Sequence, residues 1–276
     1  MNEIPPLNIS SLLKRYSLRA NKKLGQNFLQ DPFALESIAS AAEIKPTDTV
    51  LEIGPGLGSL TRYLAASAYQ VIAVELDQHL LPPLEEITSA YPNIKIINGD
   101  ILNLSPKDLI QEREYLVVAN IPYYITSAII RHLLENEPTP RRIVLTVQKE
   151  VAKRICAQPG GMSLLALSVQ VYGKPRIVKH IPANAFFPPP KVDSAVLCVD
   201  ILPSPRIETE LLDTFFKLIK AGFSQKRKTL RNSLSAGLHV TPADAEDLLK
   251  KAGIDPMRRA ETLSIEEWHE LCSLYK

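Results

Sequence analysis

Apolar positions in the first half of the chain fall into short, nearly unbroken runs: Thr49 to Ile53, Gln70 to Glu75, Ile94 to Ile97, Tyr115 to Ala119 and Arg142 to Val147. Each run has the length of a strand and is rich in Val, Ile and Leu, with stretches of helical length between them. Val71-Ile72-Ala73-Val74 and Leu116-Val117-Val118 are apolar at successive positions, so both faces of those strands need cover. The alternation predicts an α/β fold in which helices sandwich a parallel sheet.

After Gly161 the pattern predicts a helical stretch from Ser163 to Tyr172, an extended segment from Arg176 to Ile181, a proline-rich loop, and a second extended segment from Ser194 to Leu202. The two extended segments are placed to complete the sheet as a hairpin-like pair. Pro203-Ser204-Pro205 then reads as a linker. Beyond it only helices are expected, over Leu211 to Ala221, Lys228 to Leu234, a stretch opened by Thr241-Pro242, and Ile265 to Leu274. Thr241 suits an N-cap before a proline at the first helical position, and Ser264 before Ile265-Glu266-Glu267 has the form of a capping box. The expected division is a Rossmann-like domain over residues 1–203, with residues 1–26 as a basic lead-in, and a smaller all-helical domain over 204–276. Residues 1–10 carry no expected role.

Composition alters this picture little. With 276 residues and 45% hydrophobic content the chain can bury a full core, and a net charge of +2 identifies no partner by itself. Cys156, Cys198 and Cys272 are widely spaced and lack a His at metal-ligand spacing, which supports neither a disulfide framework nor a metal site. No run approaches the ~18 apolar residues of a membrane span. The expectation is a cytoplasmic protein, and a monomer, because no dimerising heptad is present.

Candidate chemistry begins at Glu52-Ile53-Gly54-Pro55-Gly56-Leu57-Gly58, a glycine-rich turn between the first strand and a helix, where the backbone can approach a ligand closely. Glu75 ends the next strand, where a carboxylate can take both hydroxyls of a ribose, and Asp100 follows the third, placed to accept from an adenine amine. An adenosine-containing ligand is implied. A dinucleotide and S-adenosylmethionine both satisfy that, but Gly54, Gly56 and Gly58 alternate, whereas the dinucleotide fingerprint sets its third glycine one residue later. The spacing favours S-adenosylmethionine.

Asn120-Ile121-Pro122-Tyr123 follows the fourth strand, at the sheet edge where ligands of open α/β folds bind. An adenine amine is a poor nucleophile because its lone pair is delocalised into the ring. The Asn120 amide oxygen and the Ile121 carbonyl are suited to accept its two hydrogens and aim the nitrogen at a methyl donor. Pro122 stiffens the backbone and Tyr123 offers a ring for stacking. Phe186-Phe187-Pro188-Pro189-Pro190 is a rigid loop expected to hold a second ring, Phe186 in the first instance with Phe187 as its alternate, so that an unstacked base lies between two aromatics. Lysines and arginines cluster at Lys14-Arg15, Arg19, Lys22-Lys23, Lys149, Lys153-Arg154 and most densely Lys226-Arg227-Lys228 with Arg231, which suggests contacts to an RNA backbone.

With these residues in view, the chain resembles the ribosomal RNA adenine dimethyltransferase family over nearly its whole length, in particular its bacterial small-subunit (16S) branch. The shared motifs are Lys23-Leu24-Gly25-Gln26-Asn27-Phe28-Leu29, Glu52 to Thr61, Gly99-Asp100, Asn120 to Tyr123, Phe186 to Ser194 and Phe223 to Asn232. The resemblance implies a class I S-adenosylmethionine-dependent methyltransferase, with Asn27 and Leu29 lining the cofactor site beside Gly54, Gly56, Glu75, Asp100 and Asn120. It further implies dimethylation of two adjacent adenosines in a 3′-terminal hairpin of 16S rRNA within a small-subunit precursor, with Lys22, Lys23, Lys226, Arg227, Lys228 and Arg231 on the RNA. The family is similar to the macrolide-resistance methyltransferases of large-subunit RNA, so that activity is one rival expectation. A non-catalytic RNA-binding scaffold on the same fold is another, disfavoured by the intact Asn120 to Tyr123 tetrapeptide.

Overall fold

The computed structural model describes residues 4–111 and 114–275; Met1 to Glu3, part of the segment given no role, lie outside them. Strands run at β1 Phe28–Leu29, β2 Thr49–Ile53, β3 Gln70–Glu75, β4 Ile94–Asn98, β5 Leu116–Asn120, β6 Arg142–Gln148, β7 Gly173–Ile181, β8 Phe186–Phe187 and β9 Ser194–Ile201. The five apolar runs are β2 to β6, and β5 reaches one residue further than its apolar pattern, to Asn120.

Seven strands form one sheet in the order β4-β3-β2-β5-β6-β9-β7, with β2 to β6 parallel to one another and β9 antiparallel to β6. From β2 the chain builds outward through β3 and β4, then returns to the other side of β2 to lay down β5. That reversal leaves a crevice at the carboxyl ends of β2 and β5, the place where open α/β sheets bind ligands. Both strands are buried on both faces, Val50, Leu51, Val117 and Val118 having no exposed surface. Helices Pro32–Ala42 and Ser59–Ala65 bring Leu35, Ile38, Leu60 and Leu64 into the core that holds Val50 and Val118.

The amino-terminal lead-in holds an element the sequence reading passed over. Helix Ile9–Arg15 is capped by Asn8, whose side chain accepts from Ser11 N at 2.9 Å. Its Ile9, Leu12 and Leu13 form a small core with Phe28, Leu57 and Leu80. Three apolar residues at i, i+3 and i+4 were the available signal.

The chain separates into two compact units, residues 1–152 with 176–201, and residues 153–175 with 202–276. The expected division at 203 therefore needs one change, because the segment 153–175 groups with the helices. The reason is where its apolar face goes: Met162, Ala166, Leu167 and Val171 share a core with Phe215, Leu218 and Trp268. Within that unit Thr241 and Asp244 complete one capping box, and Ser264 and Glu267 another.

Candidate active site

The crevice between β2 and β5 is lined by Leu24 to Leu29, Glu52 to Leu57, Glu75, Asp100 and Asn120 to Ile125, among others. Gly54, Gly56 and Gly58 all have left-handed backbone, with φ of 68°, 61° and 81°, a conformation that a side chain disfavours. A Cβ on Gly54 would meet nothing within 4 Å and would project into open space, whereas one on Gly56 would stand 3.1 Å from the Phe28 ring. The turn is thus a cradle for a group that approaches main chain.

Three acidic residues surround the cradle. Glu75 is buried, and each of its oxygens accepts one backbone N–H, Oε2 from Gly56 at 2.9 Å and Oε1 from Asp77 at 2.8 Å. Burial pushes its pKa up, and those two N–H donors pull it back. Each oxygen keeps a lone pair for a ribose hydroxyl. Glu52, one residue before the end of β2, is fully buried, and burial pushes its carboxyl up to about 8; Thr61 acts in the opposite direction and the neighbouring Glu75 adds to the rise. Neither Glu52 Oε2 nor Thr61 Oγ1 completes a hydrogen bond among the described residues. Asp100 caps the turn Ile101–Asn103 through Leu102 N at 3.0 Å. A cleft with a glycine cradle and a buried Glu75 carboxylate whose oxygens keep lone pairs for a diol fits S-adenosylmethionine, which carries a ribose and must approach main chain closely.

Asn120 ends β5 on the opposite wall. It lines the cleft, and its Nδ2 donates to the Asn27 carbonyl at 3.2 Å, which leaves Oδ1 free to accept. Asn27 is itself fixed, its Nδ2 donating to the Gly25 carbonyl at 3.0 Å, and Gln26 Nε2 ties the same loop to Asp77 at 2.7 Å. Tyr123, half-buried, shares a 2.5 Å hydrogen bond with Ser194, and burial raises its pKa. The register of β9 on β6 pairs Ser194 with Gln148, at the same carboxyl edge, and the bond to Tyr123 joins the Phe186 to Ser194 motif to the Asn120 to Tyr123 tetrapeptide.

Asn27, Leu29, Gly54, Gly56, Glu75, Asp100, Asn120, Ile121, Pro122 and Tyr123 therefore all line one cleft. Phe186 does not, and its expected stacking role is corrected here. β8 pairs with β1, setting Leu29 opposite Phe186 and Phe28 opposite Phe187. Side chains alternate along such a ribbon, so Phe186 turns into the main core with 2% exposure, while Phe187 packs beside Phe28. Lys22, Lys23, Lys226, Arg227 and Lys228 are exposed. Arg231 is instead half-buried in an ion pair with Glu246 at 3.2 Å. The sequence reading gave no part to Gln26, whose latch to Asp77 joins positions distant in the chain, nor to the protonation of Glu52.

Comparison with known proteins agrees with this geometry. The family described as Ribosomal RNA adenine dimethylase matches residues 17–276. A protein of Dehalococcoides mccartyi named Ribosomal RNA small subunit methyltransferase A is 52% identical over 96% of this chain and 91% of its own length. One of the same name from Alkaliphilus oremlandii is 41% identical over 97% and 96%. Among solved structures, a 23S rRNA methyltransferase, ErmE, superposes with a TM-score of 0.73 at 32% identity, covering 90% of this chain and 99% of its own. A dimethyladenosine transferase from Plasmodium falciparum gives 0.75 at 28% identity, covering 88% and 95%. The sheet is that of the Rossmann-like class I methyltransferases, the cofactor is S-adenosylmethionine, and the chain belongs to the ribosomal RNA adenine dimethylase family.

Proposed function

We propose that this enzyme transfers methyl groups from S-adenosylmethionine to the N6 amines of two adjacent adenosines in a 3′-terminal hairpin of 16S rRNA, within a precursor of the small ribosomal subunit. The observation that supports the reading is the anchoring of Asn120, which lines the cleft and whose Nδ2 donates to the Asn27 carbonyl, leaving Oδ1 free to accept. The bound cofactor supplies an electrophilic methyl on a sulfonium. The protein's part is to hold the amine in line with it.

Asn120 Oδ1 accepts one N6 hydrogen and the Ile121 carbonyl the other, which draws electron density to nitrogen and fixes its direction. Pro122, with φ of –60°, holds the backbone that presents this carbonyl. Tyr123 supplies a ring for the flipped base, steadied by the Ser194 hydroxyl. No strong general base is needed, since the amine turns acidic only as the new N–C bond forms and its proton then leaves to solvent.

Small-subunit specificity draws support from the relatives at 41% and 52% identity that carry that name. The basic loop Lys226-Arg227-Lys228 is assigned to the RNA backbone. No helix among the described residues is long and apolar enough to cross a membrane. We assign the protein to the cytoplasm, as a monomer. The test is transfer of labelled methyl to purified small-subunit and large-subunit precursors, followed by mapping. Dimethyladenosine at two neighbouring positions of the small-subunit RNA is expected; label on large-subunit RNA alone overturns the reading.

A further inference from the structure

Tyr124 follows the catalytic tetrapeptide, and its side chain lies on the lip of the cleft with 61% exposure. Its ring is not loose: a Cβ built on Gly25 would meet Tyr124 ring carbons at 3.3 and 3.4 Å and the Pro122 Cβ at 3.2 Å. One face or edge is thus supported by the Gly25 main chain, and the rest is turned to solvent. Gly25 caps the short turn Lys22–Leu24, in left-handed backbone that lets the loop come this close. Lys22 and Lys23 on that turn are exposed.

A supported, outward-facing ring beside a turn that carries two exposed lysines has the form of a stacking platform for single-stranded nucleic acid, with the cations on the phosphates. The Phe186 ring, which the proline-rich motif was expected to offer, is buried, so Tyr124 is the exposed aromatic on the rim of this cleft. Two adjacent adenosines cannot both occupy a cleft that presents one Asn120. While one is inside, the other must rest outside, a single backbone step away.

We propose that Tyr124 is a positioning residue for RNA: its ring stacks the nucleobase next to the target adenosine, while Lys22 and Lys23 meet the adjoining phosphates. This rests on the function proposed above. A small-subunit precursor particle is reconstituted with 2-aminopurine at one or the other of the two adenosines, and fluorescence follows binding. In the wild-type protein both probes respond, the target by leaving its stack and the neighbour by quenching on the tyrosine.

Tyr124→Ala is expected to abolish the neighbour's quenching, keep the target's response, and raise KM for the particle about 10-fold, from stacking energies of roughly 1–3 kcal/mol per base. Cofactor Kd should stay unchanged, and Tyr124→Phe should restore both signals, whereas Tyr124→Leu should not. A neighbour signal that survives Tyr124→Ala overturns the proposal and leaves the catalytic reading standing. So does a rise in cofactor Kd without loss of quenching, which would make Tyr124 a support for the Gly25 loop only. A wild-type protein to which neither probe responds overturns the catalytic reading and this one with it.

Discussion

The Asn120 side chain is anchored by the main-chain carbonyl of Asn27, 93 residues earlier, at 3.2 Å. A carbonyl can only accept, so the bond engages an N–H of the amide and leaves its oxygen free, as the proposed substrate contact requires. It also ties the loop Asn21 to Asn27 to the end of β5, and Gln26 and Asn27 of that loop are fixed in turn by bonds to Asp77 and Gly25.

Replacing Asn120 with Ala should accordingly lower kcat by about 100-fold or more, the usual scale for losing one oriented polar group at a reacting centre. Cofactor Kd, measured by calorimetry, should change little, because Glu75 and the glycine turn, proposed to hold the cofactor, belong to β3 and the end of β2 and not to β5. A variant with undiminished turnover would show that the amide does not orient the amine.

The glycine turn separates two effects that are usually mixed. Gly54→Ala and Gly56→Ala both force a side chain into left-handed backbone, at about 1–2 kcal/mol each. Gly56→Ala must also displace Phe28, whose ring would lie 3.1 Å from the new methyl, while Gly54→Ala meets only open cleft. Both should weaken cofactor binding. Thermal melting without ligand should fall further for Gly56→Ala, through the small core that Phe28 shares with Leu12 and Leu57. Equal melting temperatures for the two variants would contradict this account.

Much of this arrangement is legible in the sequence because it depends on local pattern. The runs that became β3 and β5 are apolar at successive positions, and a parallel sheet needs just that. Glu75, Gly54 and Asn120 sit at strand ends, where the fold brings them together whatever the loops do. The failures have a common physical source. Whether Phe186 or Phe187 faces the core is decided by the register of β8 on β1, and a one-residue slip would exchange them; no local feature encodes that register. The grouping of residues 153–175 with the helical unit is likewise settled by which core takes Leu167 and Val171, a tertiary matter. Glu52 reads in sequence as one letter of the glycine motif, and its protonation follows only from complete burial.

Glu52 makes stability depend on pH in an unusual sense. Its carboxyl, raised by burial to about 8, holds a proton in the folded chain at pH values where the unfolded chain, with an ordinary glutamate value of 4.5, has lost it. The folded state therefore binds more protons across that interval, and stability falls as pH rises. The contribution is fully present below the unfolded value and is lost as pH climbs through about 8. Glu52→Gln keeps the shape of the protonated acid and removes the titration. Denaturant melts of the ligand-free protein should show wild type losing stability, on the order of a few kcal/mol, between pH 5 and pH 8 relative to Glu52→Gln. Parallel curves for the two proteins would mean that Glu52 is ionised in the fold.

The basic cluster in the helical unit divides by what each charge already contacts. Lys226, Arg227 and Lys228 are exposed and take part in no ion pair among the described residues, so their charges are available to phosphates. Arg231, grouped with them in the sequence, is pulled in by Glu246 at 3.2 Å. Each phosphate neutralised releases roughly 0.7–0.9 of a counterion, so removing three contacts should flatten the plot of log affinity against log salt by about 2 to 3. Replacing Lys226, Arg227 and Lys228 together with Ala should produce that change in binding to the precursor particle. Arg231→Ala should leave the slope nearly unaltered and show itself instead in a lower melting temperature. A triple variant with the wild-type slope would remove this loop from the RNA contact, and a slope change with Arg231→Ala would mean that its ion pair opens when RNA binds.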